Sequence, residues 1–359
     1  MAAVAAFRSL PNIRDVAAQA GVSISTVSRV LNDSGPASAK AREAVARAVD
    51  ETGFRPNSIG RTLKTAKSRT IGILVPSLKN PIFADAVEGI ERTAEEAGYS
   101  ILLASSRYDP DKELQAIELF LANRVEGLIV TVTDERSSAA LDLLRREGVP
   151  FVLVFNPVLR PGPSAITIDN RAAARCLVER LIELGHRRVA MIVGRLHASD
   201  RSGLRRAGYE DALSDRGIAP GPIVEVSFDA SDLSEHCARL CAEKQPPTAL
   251  FCSTDMLAIA AIRSLNAMGL RVPADMSVAG FDGIAVGERL APSLATIVQP
   301  AEEMGAQALR HLLDRVGNDT PALQLALPYR LRDGESISVP RRGALKLNDP
   351  PRAGGRKPT

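Results

Sequence analysis

Apolar residues recur at the spacing of an α-helix in three short stretches near the start of the chain. The first stretch follows Asn12, a suitable helix N-cap, and stops before Gly21, which can supply a turn. A second helix is expected from about Ser25, and a third begins at Ser38 and stops at Gly53. The pattern predicts helix, tight turn and helix, then a third helix that shares one small core. Its core positions are Ile13, Val16, Ala17, Ala20, Val27, Val30, Leu31, Val45, Ala48 and Val49.

From residue 70 the pattern changes to short apolar runs separated by helical stretches. Short apolar runs that alternate with helices are typical of parallel sheets covered by helices on both faces. Two such units in tandem predict two α/β lobes. The runs are TIGILVP, YSILLA, GLIVTV and FVLVF in the first unit, and RVAMIVG, IVEVSF, ALFCS and SVAGF in the second.

The composition fits a soluble globular protein of more than one domain. The chain has 359 residues, of which 45% are hydrophobic and 24% charged, so we expect two or three domains with a sizeable core. No run approaches the roughly 18 apolar residues of a membrane span, and the start MAAVAAFRSL lacks the pattern of a secretory signal. The composition therefore predicts a cytoplasmic protein that has no membrane partner.

Charge divides the chain into a basic head and an acidic body. Residues 1–69 hold eleven basic and five acidic residues, a net charge of +6, whereas residues 70–340 carry −8. A basic head on an acidic body is typical of a protein whose head alone contacts a polyanion. A merely solvated basic terminus is the alternative explanation of the charge. The tail 341–359 is basic and rich in proline and glycine, and we expect it to be disordered.

The second predicted helix lies in the stretch GVSISTVSRVLN and has a polar side without any acid. Phosphates would repel acids on a DNA-binding surface. In a helix-turn-helix motif the second helix lies in the major groove with its first side chains at base edges. We therefore expect Ile24 and Ser25 to face bases and Arg29 to reach a guanine edge or a phosphate. The other candidate DNA contacts on this helix are Ser23, Thr26, Ser28 and Asn32.

Motifs for metal binding and catalysis are missing from the sequence. The four cysteines contain no CxxC pair, and the four histidines are scattered without an HExxH pattern. No glycine-rich phosphate-binding motif of the P-loop or dinucleotide-binding type occurs. The sequence predicts no metal, no cofactor, no catalytic residue and no enzymatic activity. An enzyme of carbohydrate metabolism with an accessory DNA-binding head is the remaining enzymatic alternative.

Several long segments occur in an order that is specific to one family of proteins. The head contains NIRDVAAQAGVSISTVSRVLN and SAKAREAVARAVDETGFRPNSIGRTLKTAKSRTIGILVP. The body contains NPIFADAVEGIERTAEEAGY, RVEGLIV, LIELGHRRVAMIVG, GLRVPADMSVAGFD and TIVQPAEEMG. Across roughly residues 12–340 the chain resembles the lactose-repressor/galactose-repressor (LacI/GalR) family of bacterial transcription regulators. The resemblance implies an all-α helix-turn-helix domain followed by a periplasmic-binding-protein-like α/β sensor of two doubly wound parallel-sheet lobes.

The resemblance also gives a role to the segment after Pro56. In the family, these residues form a hinge helix that becomes ordered on operator DNA, and a leucine from each subunit enters the minor groove. Here the implied N-cap is Asn57, the wedge is Leu63, and Lys64 lies beside it. An apolar wedge unstacks one base step and kinks the duplex. Gly60 lowers helix stability by about 1 kcal/mol relative to alanine, so we expect a hinge that is mostly disordered away from DNA.

The resemblance divides the effector-binding domain into two lobes. The near lobe, so called because it follows the head in sequence, is expected to hold about 70–165 and 295–321, and the far lobe about 166–294 and 322–340. The predicted segments of the whole chain are 1–11 (flexible extension), 12–56 (helix-turn-helix domain), 57–69 (hinge and linker), 70–340 (effector-binding domain) and 341–359 (tail).

The cleft between the lobes is the predicted effector site, since ligands of open parallel sheets bind beyond the carboxyl ends of the strands. A carboxylate accepts sugar hydroxyls, an arginine donates two parallel hydrogen bonds, and an aromatic ring covers an apolar sugar face. Asp282 has the alternative role of holding a turn, and we expect Asp255 to cap the helix that it begins. The candidate effector contacts, most of them at positions that bind effectors in the family, are Phe83, Asp169, Arg205, Phe228, Thr254 and Asp282.

Together these features predict a sequence-specific transcriptional regulator. Its simplest form is a repressor whose operator affinity is controlled by a small-molecule effector, expected to be a sugar or sugar derivative. A homodimer is expected on an inverted-repeat operator in double-stranded DNA, because two-fold protein symmetry requires matching half-sites. Such a protein is cytoplasmic and associates with the nucleoid when bound to DNA. The alternatives are a sugar receptor without regulatory output and a general DNA-organising protein.

Overall fold

The structure is a computed structural model, and it describes residues 11–31, 34–54, 68–158, 161–318 and 320–341. The chain divides into two compact units, Met1–Ser68 and Arg69–Thr359. Within the described ranges, no helix is both long enough and apolar enough to cross a membrane.

The first unit begins with the predicted helix and tight turn. Asn12 caps α1 (Ile13–Ala20): its Oδ1 accepts from the Arg14 N–H at 2.8 Å, and its own N–H donates to Asp15 Oδ2 at 2.7 Å. These two bonds satisfy donors that the start of a helix otherwise leaves free. Gly21 then turns the chain at φ 64°, a left-handed conformation that glycine adopts without steric cost.

Two more helices follow in the described part of the first unit, and they confirm the predicted order. The second helix, α2 (Ile24–Leu31), begins one residue before the predicted start at about Ser25. The third helix, α3 (Ala39–Thr52), is capped by Ser38 and ends at Gly53. This unit is expected to be marginally stable because so few side chains fill its core. Its buried apolar residues, among those described, are Val16, Ala17, Val27, Val45, Ala48 and Phe54.

The near lobe is built on a six-stranded parallel sheet. Its strands are β1 (Thr70–Val75), β2 (Ser100–Ser105), β3 (Gly127–Val130), β4 (Phe151–Val154), β5 (Ser164–Thr167) and β11 (Gln324–Ala326). They pair in the order β11-β5-β4-β3-β1-β2. One face is covered by α4 (Pro81–Glu96) and α12 (Ala301–Arg315), and the other by α5 (Pro110–Ala122) and α6 (Ala139–Glu147). Helices on both faces explain why the central strands are apolar along their whole length.

The far lobe repeats this arrangement on a smaller parallel sheet. Its strands are β6 (Val189–Gly194), β7 (Ile223–Val226), β8 (Ala249–Cys252) and β9 (Ser277–Ala279), in the order β7-β6-β8-β9. One face packs on α7 (Asn170–Glu183) and α8 (Asp200–Ser214), and the other on α9 (Ser234–Cys241) and α10 (Asp255–Ala267). A short 3₁₀ helix spans Leu196–Ala198, and α11 spans Ala285–Glu288. The predicted pair of doubly wound parallel sheets is confirmed.

The chain crosses between the lobes more than once, and one predicted lobe boundary is wrong. We expected 322–340 in the far lobe, but β11 pairs in parallel with β5 of the near lobe. A strand of three residues is too short for its apolar pattern to predict. Further on, β12 (Arg330–Arg332) pairs antiparallel with β10 (Thr296–Val298), and the Ser336 carbonyl accepts from the Val278 N–H at 2.8 Å. The end of this segment therefore lies with the far lobe.

Candidate functional site

A cavity lies between the two lobes, where the carboxyl ends of their strands converge as the topology predicts. Near-lobe residues that follow β1, β2 and β4 form one wall: Asn80, Ile82, Phe83, Tyr108 and Phe155. Far-lobe residues that follow β6 to β9 form the other wall: Ser199, Arg201, Ser202, Arg205, Phe228, Thr254 and Asp282. Gln299, which follows β10 at a crossing between the lobes, closes the set.

Asp282 is the centre of a buried hydrogen-bond network in this cavity. Its Oδ2 accepts from Asn80 Nδ2 at 2.9 Å, and its Oδ1 accepts from Gln299 Nε2 at 3.0 Å and from Arg205 Nη1 at 3.2 Å. Burial raises the pKa of the Asp282 carboxyl, and the charge of Arg205 opposes that shift. Because Asn80 belongs to the near lobe and Arg205 to the far lobe, this carboxylate joins the two lobes.

A second buried carboxylate holds the loop that carries Asp282. The backbone of Asp282 has a left-handed conformation with φ 124°, which a residue with a side chain rarely adopts. Asp255 stabilises it: its Oδ2 accepts from the N–H groups of Gly283 and Ile284, both at 2.8 Å, and its Oδ1 accepts from Thr296 Oγ1 at 2.6 Å. Burial, together with the nearby charge of Asp282, raises the pKa of Asp255 to about 7.

Thr254, not Asp255, is the N-cap of α10, so that part of the prediction is wrong. The Thr254 Oγ1 atom accepts from the Leu257 N–H at 3.2 Å. Threonine and aspartate are both good caps, and the sequence does not choose between adjacent ones. Thr254 also lines the cavity, and a hydroxyl that accepts one bond still has a proton to donate to a ligand.

Arg205 is fixed on every side by its neighbours. Its Nε donates to Asn170 Oδ1 at 2.9 Å, and its Nη1 donates to the Ser253 carbonyl at 2.6 Å as well as to Asp282. The guanidinium carbon lies 3.8 Å from the centre of the Phe281 ring. Burial lowers the pKa of this guanidinium, and the Asp282 charge opposes the shift. Its Nη1 donor is thus held in place against the Asp282 carboxylate.

Four aromatic rings line the cavity, in a chain with only nine phenylalanines, four tyrosines and no tryptophan. Tyr108 stacks on Phe228, and Phe83 meets Phe155 edge to face with ring centroids 5.3 Å apart. Gly194 ends β6, and a Cβ atom there would overlap the Phe228 ring. The space left has a volume of about 20 Å³, enough for about one water molecule. Aromatic faces beside buried polar groups suit a ligand with apolar faces and polar edges.

The structure brings together all but one of the predicted effector contacts. Phe83, Arg205, Phe228, Thr254 and Asp282 all line the cavity. Asp169 does not line it: its Oδ1 accepts from the Ala172 N–H at 2.9 Å as the N-cap of α7, its side chain is exposed, and its role as an effector contact stays a prediction.

Sequence reasoning missed more than half of the cavity wall. The rule that picks residues just after strands would have found Tyr108 and Phe155, had it been applied to every strand. Arg201 and Gln299 are harder to find, because they lie on a helix and at a crossing between lobes. Other residues that the sequence did not point to are Ile82, Ser199 and Ser202.

A second set of polar contacts joins the lobes beside the cavity. Asn156, which follows β4, donates from Nδ2 to Asp200 Oδ2 at 2.7 Å. Arg201 donates from Nη1 to the Val132 carbonyl and to Asp200 Oδ1, both at 3.1 Å. The start of α8 is therefore tied to the near lobe, where Thr133 also accepts from the Asp200 N–H at 2.8 Å.

Two buried glutamates lie close to these contacts. Glu113 Oε1 accepts from the Thr133 N–H at 2.8 Å. The other carboxyl oxygen of Glu113 and one oxygen of Glu135 are buried without a hydrogen-bond partner. Burial raises the pKa of both carboxyls to about 7, and the charge of Asp200 adds to the effect. Ionising either glutamate therefore leaves a poorly solvated charge between the lobes.

The surface of α2 in the first unit has the character expected of a DNA-reading helix. Ser23 Oγ accepts from the Thr26 N–H at 3.1 Å and caps the helix, and it lies 2.8 Å from the hydroxyls of Ser25 and Thr26. Ile24 is 46% exposed, which is high for a large apolar side chain. Arg29 is exposed, and its Nη1 donates to the Pro36 carbonyl at 3.4 Å.

The remaining candidate DNA contacts are only partly described. Ser28 is half-buried on α2. Asn32, Asn57, Leu63 and Lys64 lie outside the described residues, so their predicted roles stay predictions. Among the described residues, no group of three or more His, Cys, Asp or Glu side chains is arranged to hold a metal ion.

These features define a class of protein: a helix-turn-helix DNA-binding unit on the same chain as a two-lobed ligand-binding domain. Residues 12–57 match the family described as bacterial regulatory proteins, lacI family, and residues 178–337 match the periplasmic binding protein-like domain. The chain is 35% identical over 331 residues to the HTH-type transcriptional regulator GntR of Escherichia coli strain K12, covering 91% of this chain and 98% of that protein. The chain belongs to the lacI family of bacterial regulatory proteins, which confirms the resemblance.

Solved structures of relatives have the same fold over nearly the whole chain. The lac repressor dimer bound to operator and the anti-inducer ONPF superposes with a TM-score of 0.79 at 29% identity, covering 91% of this chain and 99% of that one. The transcriptional regulator CelR–cellobiose complex superposes with a TM-score of 0.68 at 31% identity, over the same shares of both chains. The protein is thus a DNA-binding transcriptional regulator with a periplasmic-binding-protein-like domain.

Proposed function

We propose that the protein is a repressor whose affinity for an inverted-repeat operator is controlled by a sugar or sugar derivative bound between the two lobes. The observation that carries the proposal is the cavity itself, which combines a buried Arg205–Asp282 pair with four aromatic rings. A carboxylate and a guanidinium that are fixed in place recognise hydroxyl groups, and aromatic faces recognise the apolar face of a sugar ring. The relative solved with cellobiose supports a carbohydrate effector.

The DNA-binding part of the proposal rests on α2. Its exposed first turn, with Ile24 and Ser25, is suited to base edges in the major groove. We propose a homodimer, because an inverted repeat presents two equal half-sites and the lac repressor relative is solved as a dimer on operator. The hinge segment 57–69 is proposed to act on the minor groove through Leu63 and Lys64, with Asn57 as its cap. The protein acts in the cytoplasm, associated with the nucleoid when bound to DNA.

The effector acts by changing the arrangement of the lobes. A cavity of about 20 Å³ is far smaller than the several hundred Å³ of an ordinary ligand pocket, so a sugar requires the lobes to separate or Tyr108 to move. Separation of the lobes breaks the hydrogen bonds that join them through Asp282 and Asp200, whereas movement of Tyr108 breaks its stack on Phe228. Coupling between ligand and operator sites is typically 1–3 kcal/mol, or about 5- to 150-fold in operator affinity.

The proposal includes no enzymatic activity, and no metal or cofactor. The paired ionisable groups of the cavity, Arg205 and Asp282, satisfy each other and their neighbours, so neither of these two is free to act as a general acid or base. The relatives that match over most of the chain are transcriptional regulators, which supports this conclusion.

The experiment that tests the function is a selection of random DNA duplexes on the purified full-length protein, repeated with a panel of sugars, sugar acids and sugar phosphates. The expected result is an inverted repeat with a central pyrimidine–purine step, enriched without ligand and lost with one compound. An Asp282→Asn variant should keep the same enriched sequence and lose the response to the compound. Failure to enrich any sequence under all conditions would contradict the proposal.

A further inference from the structure

Arg201 carries a buried donor that the fold leaves unused. Its side chain is 5% exposed, and its Nη1 atom is held by the Val132 carbonyl and the Asp200 carboxylate, neither of which lines the cavity. Its Nη2 atom is buried and has no hydrogen-bond partner. Among the described residues of the cavity wall, only Arg201 has such an unsatisfied polar atom. A guanidinium N–H without an acceptor is costly, so this atom indicates a missing acceptor.

The start of α8 gives a second reason to expect a negative group here. This helix has 15 residues, and the positive end of its dipole lies at Ser199 and Asp200. Ser199 occupies the N-cap position, yet its hydroxyl makes no capping bond to its own helix. The side chains of Ser199 and Ser202 are buried in the cavity wall on either side of Arg201. Two hydroxyls and a guanidinium edge at a helix N-terminus together suit the oxygens of an anion.

The other cation of the cavity is not available for this task. Arg205 is matched by the Asp282 carboxylate at 3.2 Å, and Asn80 and Gln299 occupy further acceptor positions of that carboxylate. This closed pair suits the hydroxyl-bearing part of a ligand. The two positions of the cavity therefore differ in chemistry, one facing hydroxyls and the other facing an anion.

We infer that the effector carries an anionic group, a carboxylate or a phosphate ester, which binds Nη2 of Arg201 and the hydroxyls of Ser199 and Ser202. The inference rests on the proposed function, because it identifies the chemical class of the ligand bound in the same cleft. According to this inference, Arg201 is the residue that makes the protein bind sugar acids or sugar phosphates in preference to neutral sugars.

The test measures binding to the full-length protein by isothermal titration calorimetry with matched pairs of compounds. The pairs are hexonates and hexuronates against the neutral aldoses and alditols of the same configuration, and hexose 6-phosphates against the free hexoses. We expect at least one anion to bind roughly 30-fold more tightly than its neutral partner, as for hydrogen bonds to a charged group. The sugar acids and the sugar phosphates are compared separately, and this shows whether the bound anionic group is a carboxylate or a phosphate ester.

Substitution of Arg201 tests which residue provides the preference. Arg201→Gln should remove the preference, so that the anion and its neutral partner bind with affinities within about threefold of each other. Arg206→Gln is the matched control, because Arg206 lies on the same helix and forms an exposed ion pair with Glu210. A circular dichroism melt shows whether each variant is folded. The comparison of each anion with its neutral partner is made on the unmodified protein, so it does not depend on any variant.

Three outcomes would overturn the inference: a neutral compound that binds as tightly as its anionic partner, no binding by any anion at millimolar concentration, or a preference that survives Arg201→Gln. Each is distinct from failure of the proposed function. If a neutral sugar releases the selected operator, the regulatory function stands and only the anionic class is wrong. If no DNA sequence is selected at all, the proposed function itself is wrong, whatever the calorimetry shows.

Discussion

The ring of Tyr108 lies flat against the ring of Phe228, with centroids 4.1 Å apart and planes inclined by 11°. Tyr108 follows β2 of the near lobe, and Phe228 follows β7 of the far lobe. The stack therefore crosses the cleft and covers the face of Phe228 that a sugar ring would need. Arg107 and Tyr108 both have left-handed backbones, with φ 56° and 58°, so the chain bends sharply to bring this ring into the cleft.

The stack between Tyr108 and Phe228 should contribute to the stability of the closed lobes. We expect a double-mutant cycle with Tyr108→Ala and Phe228→Ala to give a coupling free energy of about 0.5–1.5 kcal/mol, as for other aromatic pairs. Urea denaturation of the four proteins measures it. Tyr108→Ala alone should also tighten effector binding, because the ligand no longer competes with the tyrosine ring. A coupling near zero would mean that the two rings touch without holding the lobes together.

The contact between Tyr108 and Phe228 shows why the sequence predicted where the site lies but not how far the two lobes close over it. Phe228 and Asp282 could be found because strand ends of parallel sheets converge on one cleft, which is a property of topology. Arg205 lies on helix α8, and its role is implied by the resemblance to the family. That Tyr108 stacks on Phe228 depends on how far the lobes close, and this distance leaves no periodic pattern in the sequence. Asp169, which caps α7 and does not line this cavity, presents a related difficulty, since a polar residue between a strand and a helix can be either a ligand contact or a cap.

Two helices of the near lobe approach so closely that only glycine fits at their contact. A Cβ atom at Gly89 of α4 would overlap the carbonyl oxygen of Glu302 in α12, and one at Gly305 would overlap the carbonyl of Ala86. Gly89→Ala should therefore destabilise the protein by about 1–3 kcal/mol through overpacking. Gly203→Ala is the control: Gly203 is exposed on α8 with no neighbouring atom within 4 Å, and alanine there should stabilise the helix by about 0.5–1 kcal/mol. Chemical denaturation measures the free energy of unfolding of both variants. If Gly89→Ala and Gly203→Ala change it equally, helix propensity alone explains the effect and the close helix contact does not.

The two buried glutamates between the lobes should make stability fall as pH rises. The pKa of Glu113 and of Glu135 is raised to about 7 in the folded protein, so between about pH 5 and 7 the folded state binds more protons than the unfolded state. The contribution of these two carboxyls to the stability of the folded state is complete below about pH 5 and is lost as the pH rises to about 7. At roughly 1.4 kcal/mol per pKa unit, a rise from 4.5 to about 7 corresponds to a loss on the order of 3 kcal/mol for each carboxyl.

Glu113→Gln is the variant that tests this pH dependence. It should match the parent near pH 5 and exceed it in stability near pH 8, because the amide never ionises. The free energy of unfolding is measured by urea titration at both pH values. Glu118→Gln, at an exposed position of the same helix, should leave the difference between the two pH values unchanged. A Glu113→Gln variant that loses as much stability with pH as the parent would assign the effect to other groups.

The base preference of the protein should depend on Ile24 and Ser25. Both are exposed at the start of α2, whereas Ser23 beside them is engaged as the helix cap, so replacing Ser23 would disturb the helix itself. We expect Ile24→Ala or Ser25→Ala to relax the preference at one position of each half-site, with a loss of about 1–3 kcal/mol in discrimination. Sequencing of duplexes selected from a random pool measures this effect. Lys40→Ala, an exposed change at the start of α3, should leave the selected sequence as it is. If the α2 variants also select the parent's sequence, α2 is not the helix that contacts the bases.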